Sequence, residues 1–293
     1  MNPSKKGVSL VALGALLWGG SGVAAQFLLQ QKGFSTEWLV MMRMTLAGIL
    51  LLLLDAARNR ESIFSVWRNR TAAKRLLFFS LFGMLGVQYT YFSSIEHGNA
   101  AAASVLQYLM PIIVVLRLAL KSRSLPSLRE SGCVLLAFVG TFLILTRGSL
   151  STLAIPPIAL FWGVASAFCA AIYTIQPKWL LDNFRSPLVI GWAMLLGGFL
   201  LMFARAPWNF AGVLDAASVA VFIYVVLFGT VIAFWSYLES LKYIQPSTIG
   251  ILSSIEPLSA VLLSTALLAV PFGLTESVGV VLILFSIALL NKR

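Results

Sequence analysis

Ile249–Leu263 reads IGILSSIEPLSAVLL and places a carboxylate and a proline, Glu256 and Pro257, inside an otherwise apolar run. A bilayer core is about 30 Å thick and needs about 20 helical residues to cross. Counted from Ser247, Glu256 falls near the middle of such a crossing, where an ionisable group is costly and indicates a functional site. The proline removes a backbone hydrogen bond and therefore predicts a kink or break in the helix.

The chain repeats itself around this segment. Met110-Pro111 stands where the second copy has Glu256-Pro257, and other matches follow in order at nearly constant spacing: Ala15–Gly19 with Ala159–Gly163, Leu39 and Arg43 with Leu188 and Trp192, Leu81–Gly83 with Leu227–Gly229, and Glu130-Ser131 with Glu276-Ser277. The sequence thus predicts two copies of a five-helix unit, in 1–150 and 151–293. Because five is odd, the second copy enters the membrane from the opposite side. Inverted repeats of this kind are typical of transporters.

Composition predicts an all-α membrane protein. Of the 293 residues, 59% are hydrophobic and 11% are charged, whereas soluble domains carry about 25% charged residues. We expect ten transmembrane helices, arranged as two inverted five-helix repeats. The predicted spans are 8–29, 37–54, 76–95, 100–117, 131–146, 157–176, 187–204, 218–238, 247–268 and 276–290.

The positive charge has a topological explanation. With the N-terminus inside, most of the 21 lysines and arginines fall in cytoplasmic segments, a bias that predicts both termini in the cytoplasm. The net charge of +11 therefore does not indicate a nucleic-acid partner. Lys5-Lys6 and the apolar run after them are interpreted as an uncleaved first helix rather than a signal peptide. Two cysteines in apolar runs provide no disulfide framework or CxxC site.

These residues together resemble the EamA-type branch of the drug/metabolite transporter superfamily. The resemblance rests on two five-helix copies that each open on Trp-Gly, on Arg43 early in the second span, on Pro111, and on Ser-Ile-Glu-Pro at 254–257. It covers about 8–146 and 157–290. It implies a ten-helix carrier of the bacterial inner membrane that works by alternating access on amino acids, amines, carboxylates or related metabolites, often as an exporter. It also places the fifth and tenth spans peripherally, with the cavity between spans 1–4 and 6–9.

Two intramembrane charges are the first candidates for the substrate site. Glu256 could bind a cation or couple transport to protons, or it could be a structural acid at the break before Pro257. Arg43 could hold a substrate carboxylate through a bidentate pair, or it could snorkel or bond the carbonyls of a broken helix. Acting together, the two charges would suit a zwitterion such as an amino acid.

Aromatic and polar residues inside the spans are the other candidates. Aromatic faces can cage an ammonium group or line an apolar pocket, although many such residues simply pack. Gln107 and Ser253 could hydrogen-bond a ligand or bridge helices. The complete set of predicted substrate-binding residues is Trp18, Arg43, Tyr89, Gln107, Tyr108, Trp162, Trp192, Trp235, Ser253 and Glu256.

Other classes fit the sequence less well. With one histidine and no HExxH, P-loop or GxSxG motif, we expect neither an enzyme nor a metal or other cofactor. A channel would need rings of charge or a carbonyl filter. A facilitative carrier or exchanger of another class, such as an amine, nucleoside or drug-like compound, remains the alternative. The expected partners are a small-molecule metabolite and membrane lipids, and the sequence is compatible with protons as coupling ion and with a homodimer.

Overall fold

A computed structural model describes residues 3–59, 62–122, 128–146, 155–240, 243–244, 252–253, 255–271 and 273–291. The described residues are mostly helical and include no strand. The start of the predicted ninth span, 247–251, and Ser254 lie outside the described residues. The expectation of an all-α protein is confirmed for the rest.

The described residues of the first half of the chain form seven α-helical segments. The third predicted span begins earlier than expected, because Asn69 caps the helix by accepting hydrogen bonds from the backbone N–H groups of Thr71 and Ala72. The segments are α1 (Pro3–Gln26), α2 (Thr36–Arg58), α3 (Arg70–Phe78), α4 (Gly86–His97), α5 (Ala100–Gln107), α6 (Met110–Ser122) and α7 (Leu128–Thr146), with a short 3₁₀ turn at Ser65–Arg68.

The second half follows the same order. Asp215 and Ser218 form a capping box that fixes the start of α11. The segments are α8 (Pro157–Ile175), α9 (Lys178–Asn183), α10 (Ser186–Met202), α11 (Ala216–Val226), α12 (Ala233–Ser240), α13 (Ile255–Leu268) and α14 (Leu274–Asn291).

In the part of the chain that the structure describes, five helices are long and apolar enough to cross a membrane. Some of them run through more than one of the segments just named. They are Lys5–Gln31, Thr36–Arg58, Arg70–His97, Pro157–Asn183 and Ala216–Tyr237. Five shorter apolar helices occupy the other predicted spans: Ala100–Val114, Ser131–Ile144, Ser186–Met202, Ile255–Leu268 and Leu274–Ser286.

The two prolines of the repeat occupy similar positions, each in the first turn of a helix. Pro111 is the second residue of α6, and Tyr108 and Leu109 interrupt the helical run of the fourth span just before it. Pro257 is the third residue of α13, and Ser253 just before that helix is in a turn. A missing N–H costs little in a first turn, because it would have no intrahelical partner. The predicted break therefore precedes Pro111, and the helix that contains Pro257 likewise begins just before the proline.

Two π-helical segments mark equivalent positions in the two halves. Phe79–Leu85 joins α3 to α4, and Leu227–Ile232 joins α11 to α12. Both contain the Leu-Phe-Gly sequence that identified the repeat. A third π-helical segment, Phe27–Gln31, extends α1. Because π-helical turns insert a residue into the α-helical ladder and change which side chains face inward, they often occur at functional sites.

Equivalent helices of the two halves pack against each other in antiparallel pairs. Gly48 of α2 lies against Leu195 of α10, whereas Thr45, earlier in α2, lies against Gly198, later in α10. Arg129 at the start of α7 donates a hydrogen bond to the carbonyl of Leu289 near the end of α14. The small residues in these pairs allow close backbone approach.

Two ion pairs join the halves at opposite ends of α2. Lys32, just before α2, contacts Asp215 at 2.5 Å. In the last turn of α2, Asp55 is bound by Arg185, with Nε to Oδ1 at 3.0 Å and Nη2 to Oδ2 at 2.8 Å. The Asp55 side chain is only 1% exposed, so this second pair is largely shielded from solvent.

Candidate functional site

A cavity of about 160 Å³ lies where the two halves meet. A single water needs roughly 10–15 Å³ on this measure, so the cavity has room for a small solute. Its walls come from α1, α2, α4, α5, α6, α8, α12 and α13, together with Tyr108 and Ser253. Among the described residues, α7, α10 and α14 contribute none of the lining.

Arg43 brings a positive charge into this cavity from α2. Its side chain is 3% exposed, and its Nε donates a hydrogen bond of 3.0 Å to the hydroxyl of Thr230. The guanidinium lies over the ring of Phe92, 4.5 Å from the centroid, a distance that gives a cation–π contact. Among the described residues no carboxylate pairs with Arg43. As far as the structure describes the chain, its hydrogen bond goes to the Thr230 side-chain hydroxyl rather than to a backbone carbonyl.

Glu256 brings a negative charge into the same cavity from the start of α13. Its backbone N–H donates to the carbonyl of Ser253 at 3.0 Å, and its own carbonyl accepts from the hydroxyl of Ser259 at 2.8 Å. These bonds fix the backbone, so the side chain is directed from a rigid helix start. Within the described part of the chain, no lysine or arginine pairs with this carboxylate.

Tyrosines line the cavity together with Glu256, among them Tyr91, Tyr108 and Tyr237. Tyr91 is on α4, next to Phe92, over whose ring the Arg43 guanidinium lies. Its hydroxyl forms a 2.7 Å hydrogen bond with Ser104. The cavity thus offers a cationic group, an anionic group and phenol rings within one small space.

Trp18 forms the aromatic wall on the side of α1. Its ring meets that of Phe234 edge-on at 5.0 Å between centroids and lies 5.1 Å from that of Tyr237. The next residue, Gly19, has no space for a side chain, because a Cβ there would lie 2.7 Å from the carbonyl oxygen of Glu256. This close approach holds α1 against α13 and places Trp18 beside the carboxylate-bearing turn.

Six of the ten predicted residues line this cavity: Trp18, Arg43, Gln107, Tyr108, Ser253 and Glu256. They come from both halves of the chain: four are on helices α1, α2, α5 and α13, and Tyr108 and Ser253 lie just outside the helices. Their part in binding a substrate stays a prediction.

The other four predicted residues lie elsewhere. Tyr89 donates a hydrogen bond to Glu37, and its ring packs edge-on against Trp162 at 5.8 Å. Trp192 donates from its indole to the carbonyl of Ile63 at 2.7 Å. Trp235 is 41% exposed and lines a separate cleft beside the Asp55–Arg185 ion pair.

Several lining residues were not among the predicted set. Gln88 could have been predicted from the sequence, because it is an amide inside an apolar span, and a buried amide needs partners or a polar cavity. Tyr91, Tyr173 and Tyr237 are intramembrane aromatics that hydropathy does not separate from packing residues.

Thr230 is not a lining residue but accepts a hydrogen bond from Arg43. It gave no signal in the sequence, because the direction of its side chain depends on the π-helical segment that contains it.

The described residues include no group of three or more His, Cys, Asp or Glu side chains that could hold a metal ion. Cys133 and Cys169 are not joined in a disulfide.

Comparison with known proteins gives a consistent result. The model of the EamA-like transporter family matches residues 5–146 and again residues 157–292. A protein of Salmonella typhimurium strain LT2, named uncharacterized inner membrane transporter YicL, is 40% identical over 293 residues, covering 99% of this chain and 97% of that protein. A Bacillus subtilis strain 168 protein, named uncharacterized transporter YetK, is 29% identical over 212 residues, covering 69% of this chain and 60% of that protein.

The fold also occurs among solved structures. One crystal structure aligns over 98% of this chain and 96% of its own, with a TM-score of 0.66 and 18% sequence identity. At that identity the likeness concerns the fold alone.

Proposed function

This chain belongs to the EamA-like transporter family, and we propose that it is a secondary-active exporter of amino acids or related small amine and carboxylate metabolites. The predicted family is confirmed, and the chain is a multi-pass inner-membrane protein. A transporter acts on a small molecule in a membrane environment. The substrate class, the direction of transport and the coupling are the parts that we propose.

One observation carries the proposal: Arg43 and Glu256 line the same small cavity from different halves of the chain. Keeping two opposite charges buried without pairing them is costly unless a ligand compensates them. A zwitterion would do so, with its carboxylate on Arg43 and its ammonium group on Glu256. The rings of Trp18, Tyr108 and Tyr237 would then face the rest of the solute, because aromatic faces attract ammonium groups and apolar groups alike.

For alternating access we propose ten crossings, with both termini in the cytoplasm and the two halves inverted. The antiparallel packing of α2 with α10 and of α7 with α14 supports this, because equivalent helices of inverted copies run in opposite directions. Reporter fusions test it. A fusion after Arg293 should be active only if the reporter works in the cytoplasm, and a periplasmic reporter active there would contradict the topology.

The substrate proposal is tested by transport in proteoliposomes. With protein carrying Arg43→Gln, export of amino acids should fall, whereas transport of amines that lack a carboxylate should be affected less. Losing a hydrogen bond to a charged group costs about 1.5–3 kcal/mol, which corresponds to roughly 10- to 100-fold in affinity. Equal losses for both classes of solute would assign Arg43 to folding rather than to the substrate.

A further inference from the structure

Arg43 is held by two residues that no sequence pattern identified. Its Nε donates to the Thr230 hydroxyl at 3.0 Å, and its guanidinium plane lies over the Phe92 ring at 4.5 Å. Thr230 and Phe92 are buried, with 0% and 1% of their surface exposed. Thr230 belongs to the second half of the chain, whereas Arg43 and Phe92 belong to the first, so the contact crosses between the repeats.

The hydrogen-bond directions explain why Thr230 can act as an acceptor. Its hydroxyl donates its one proton to the carbonyl of Val225, five residues earlier, at 2.8 Å. That carbonyl is within reach because Leu227–Ile232 is π-helical. With the proton directed there, the lone pairs of the oxygen remain for the Arg43 Nε–H.

The hydrogen bond from Nε to Thr230 leaves the N–H groups of the two terminal nitrogens of Arg43 for another partner. A guanidinium has five N–H groups, of which one is on Nε and four are on the two terminal nitrogens. Within the described part of the chain, the terminal nitrogens have no hydrogen-bond acceptor, and Arg43 lines the cavity. Two parallel N–H donors from the terminal nitrogens match the two oxygens of a carboxylate.

We infer that Thr230 and Phe92 are positioning residues that fix the Arg43 guanidinium, so that its two terminal nitrogens form the carboxylate-binding fork of the cavity. This inference rests on the proposed function, because it assigns the carboxylate of the proposed zwitterionic substrate to Arg43. The π-helical segment in the second half then has a role: it orients a hydroxyl that holds the cation of the first half. The second half has no arginine that a residue of the first half could hold in the same way, because Trp192 stands at the position equivalent to Arg43.

The test measures Arg43 directly, with acetate as the probe. In detergent-solubilised full-length protein labelled with ¹⁵N-arginine, the Arg43 Nε–H resonance is assigned by its loss in Arg43→Lys. Acetate is then titrated against chloride at constant ionic strength. The native protein and Thr230→Ser should show a saturable shift of this resonance. Thr230→Val, which keeps the shape but loses the acceptor, should bind acetate about three- to tenfold more weakly, because the guanidinium must be immobilised on binding.

Two further variants make the result specific. Thr90→Val is the matched control, because the Thr90 hydroxyl also donates to a carbonyl of its own helix, at 2.7 Å, but does not contact Arg43. It should bind acetate like the native protein. Phe92→Leu removes the ring beneath the guanidinium and leaves Thr230 unchanged. It should also weaken acetate binding, and it replaces Thr230→Val as the test variant if that variant does not fold.

Acetate affinity in Thr230→Val equal to that of the native protein would overturn the inference, as would an equal loss in Thr90→Val. A fast-exchanging Arg43 Nε–H in the native protein would overturn it as well. The proposed function fails separately: if acetate shifts Arg43 but no amino acid binds, the fork exists and the zwitterionic substrate is wrong.

Discussion

Arg43 of the first half and Glu256 of the second line one cavity, and within the described part of the chain they form no ion pair with each other. Tyr91 lines the same cavity. Opposite charges that face a common space without pairing leave room for a solute with complementary charges. This cavity, and the contacts that hold the two halves around it, determine what each substitution should do.

Glu256→Gln distinguishes substrate binding from proton coupling. If Glu256 holds the ammonium group, the variant should lose about 10- to 100-fold in amino-acid affinity, since a bond to a charged group is worth about 1.5–3 kcal/mol. Exchange between two substrate-loaded compartments and gradient-driven transport should then fall together. Both are measured in proteoliposomes. Exchange at the native rate with loss of gradient-driven transport alone would instead assign Glu256 to proton coupling.

Gly140→Ala should destabilise the packing of α7 against α14. A Cβ at Gly140 would lie 2.6 Å from the carbonyl oxygen of Gly279 and 2.8 Å from Ile283, so the helices must separate. Such overpacking costs about 1–3 kcal/mol. Gly132→Ala is the control in the same helix, because a Cβ there meets nothing within 4 Å.

Thermal unfolding in one detergent measures both glycine variants. Gly132→Ala should be neutral or stabilise by up to about 1 kcal/mol through helix propensity. If the two variants unfold at the same temperature, α7 and α14 do not pack as described.

Arg185→Gln should destabilise the protein by about 3 kcal/mol, because it leaves Asp55 unpaired with its side chain 1% exposed. In the double variant Asp55→Asn/Arg185→Gln the buried charge is absent, so part of the stability should return. Thermal unfolding of the three proteins gives the coupling between the two residues. A double variant no more stable than Arg185→Gln would show that the cost lies in lost packing instead.

Asp215 should make stability depend on pH at the opposite end of α2. Its hydrogen bond from Lys32, and then that from the backbone N–H of Ser218, lower the pKa of Asp215 from 3.8 to about 2. A lowered pKa stabilises the fold where the carboxylate is charged, above its ordinary pKa, and this contribution disappears as the pH falls from about 4 to about 2. The difference in unfolding temperature between native protein and Asp215→Asn should be constant above pH 5 and shrink below pH 4.

The salt dependence of the Asp215→Asn effect provides a control. Both partners of this pair are partly exposed, so the effect should also diminish at high salt. A difference that grows toward low pH, or one that ignores both pH and salt, would mean that the substitution changes the capping of α11 rather than the ion pair.

Hydropathy and repeat spacing predicted much of the fold because they depend on element length and polarity alone. The second span, expected at 37–54, is helical over Thr36–Arg58, and the seventh, expected at 187–204, over Ser186–Met202. The π-helical segments were not predicted. They depend on one extra residue in the hydrogen-bond ladder, which leaves the polarity of the sequence unchanged.

The cavity was predicted only in part, because repeat equivalence does not carry over to side-chain environment. Trp18 and Trp162 occupy equivalent positions, yet Trp18 lines the cavity while Trp162 packs on Tyr89 and Phe161. Arg43 and Trp192 likewise have different surroundings. Charges inside a span were the most informative signal, since burying them is costly enough to limit where they can point.

The most direct test of the central claim is ligand-induced thermal stabilisation of the purified protein by the standard L-amino acids. The best stabiliser is then compared with its carboxamide, which lacks the carboxylate, and with its deaminated acid, which lacks the ammonium group. Binding at 100 times the dissociation constant stabilises by about 2.7 kcal/mol. The account predicts that the zwitterion stabilises more than either analogue and that Arg43→Gln removes its advantage over the carboxamide. Stabilisation by amines or nucleosides but by no amino acid, or equal stabilisation by all three compounds, would contradict it.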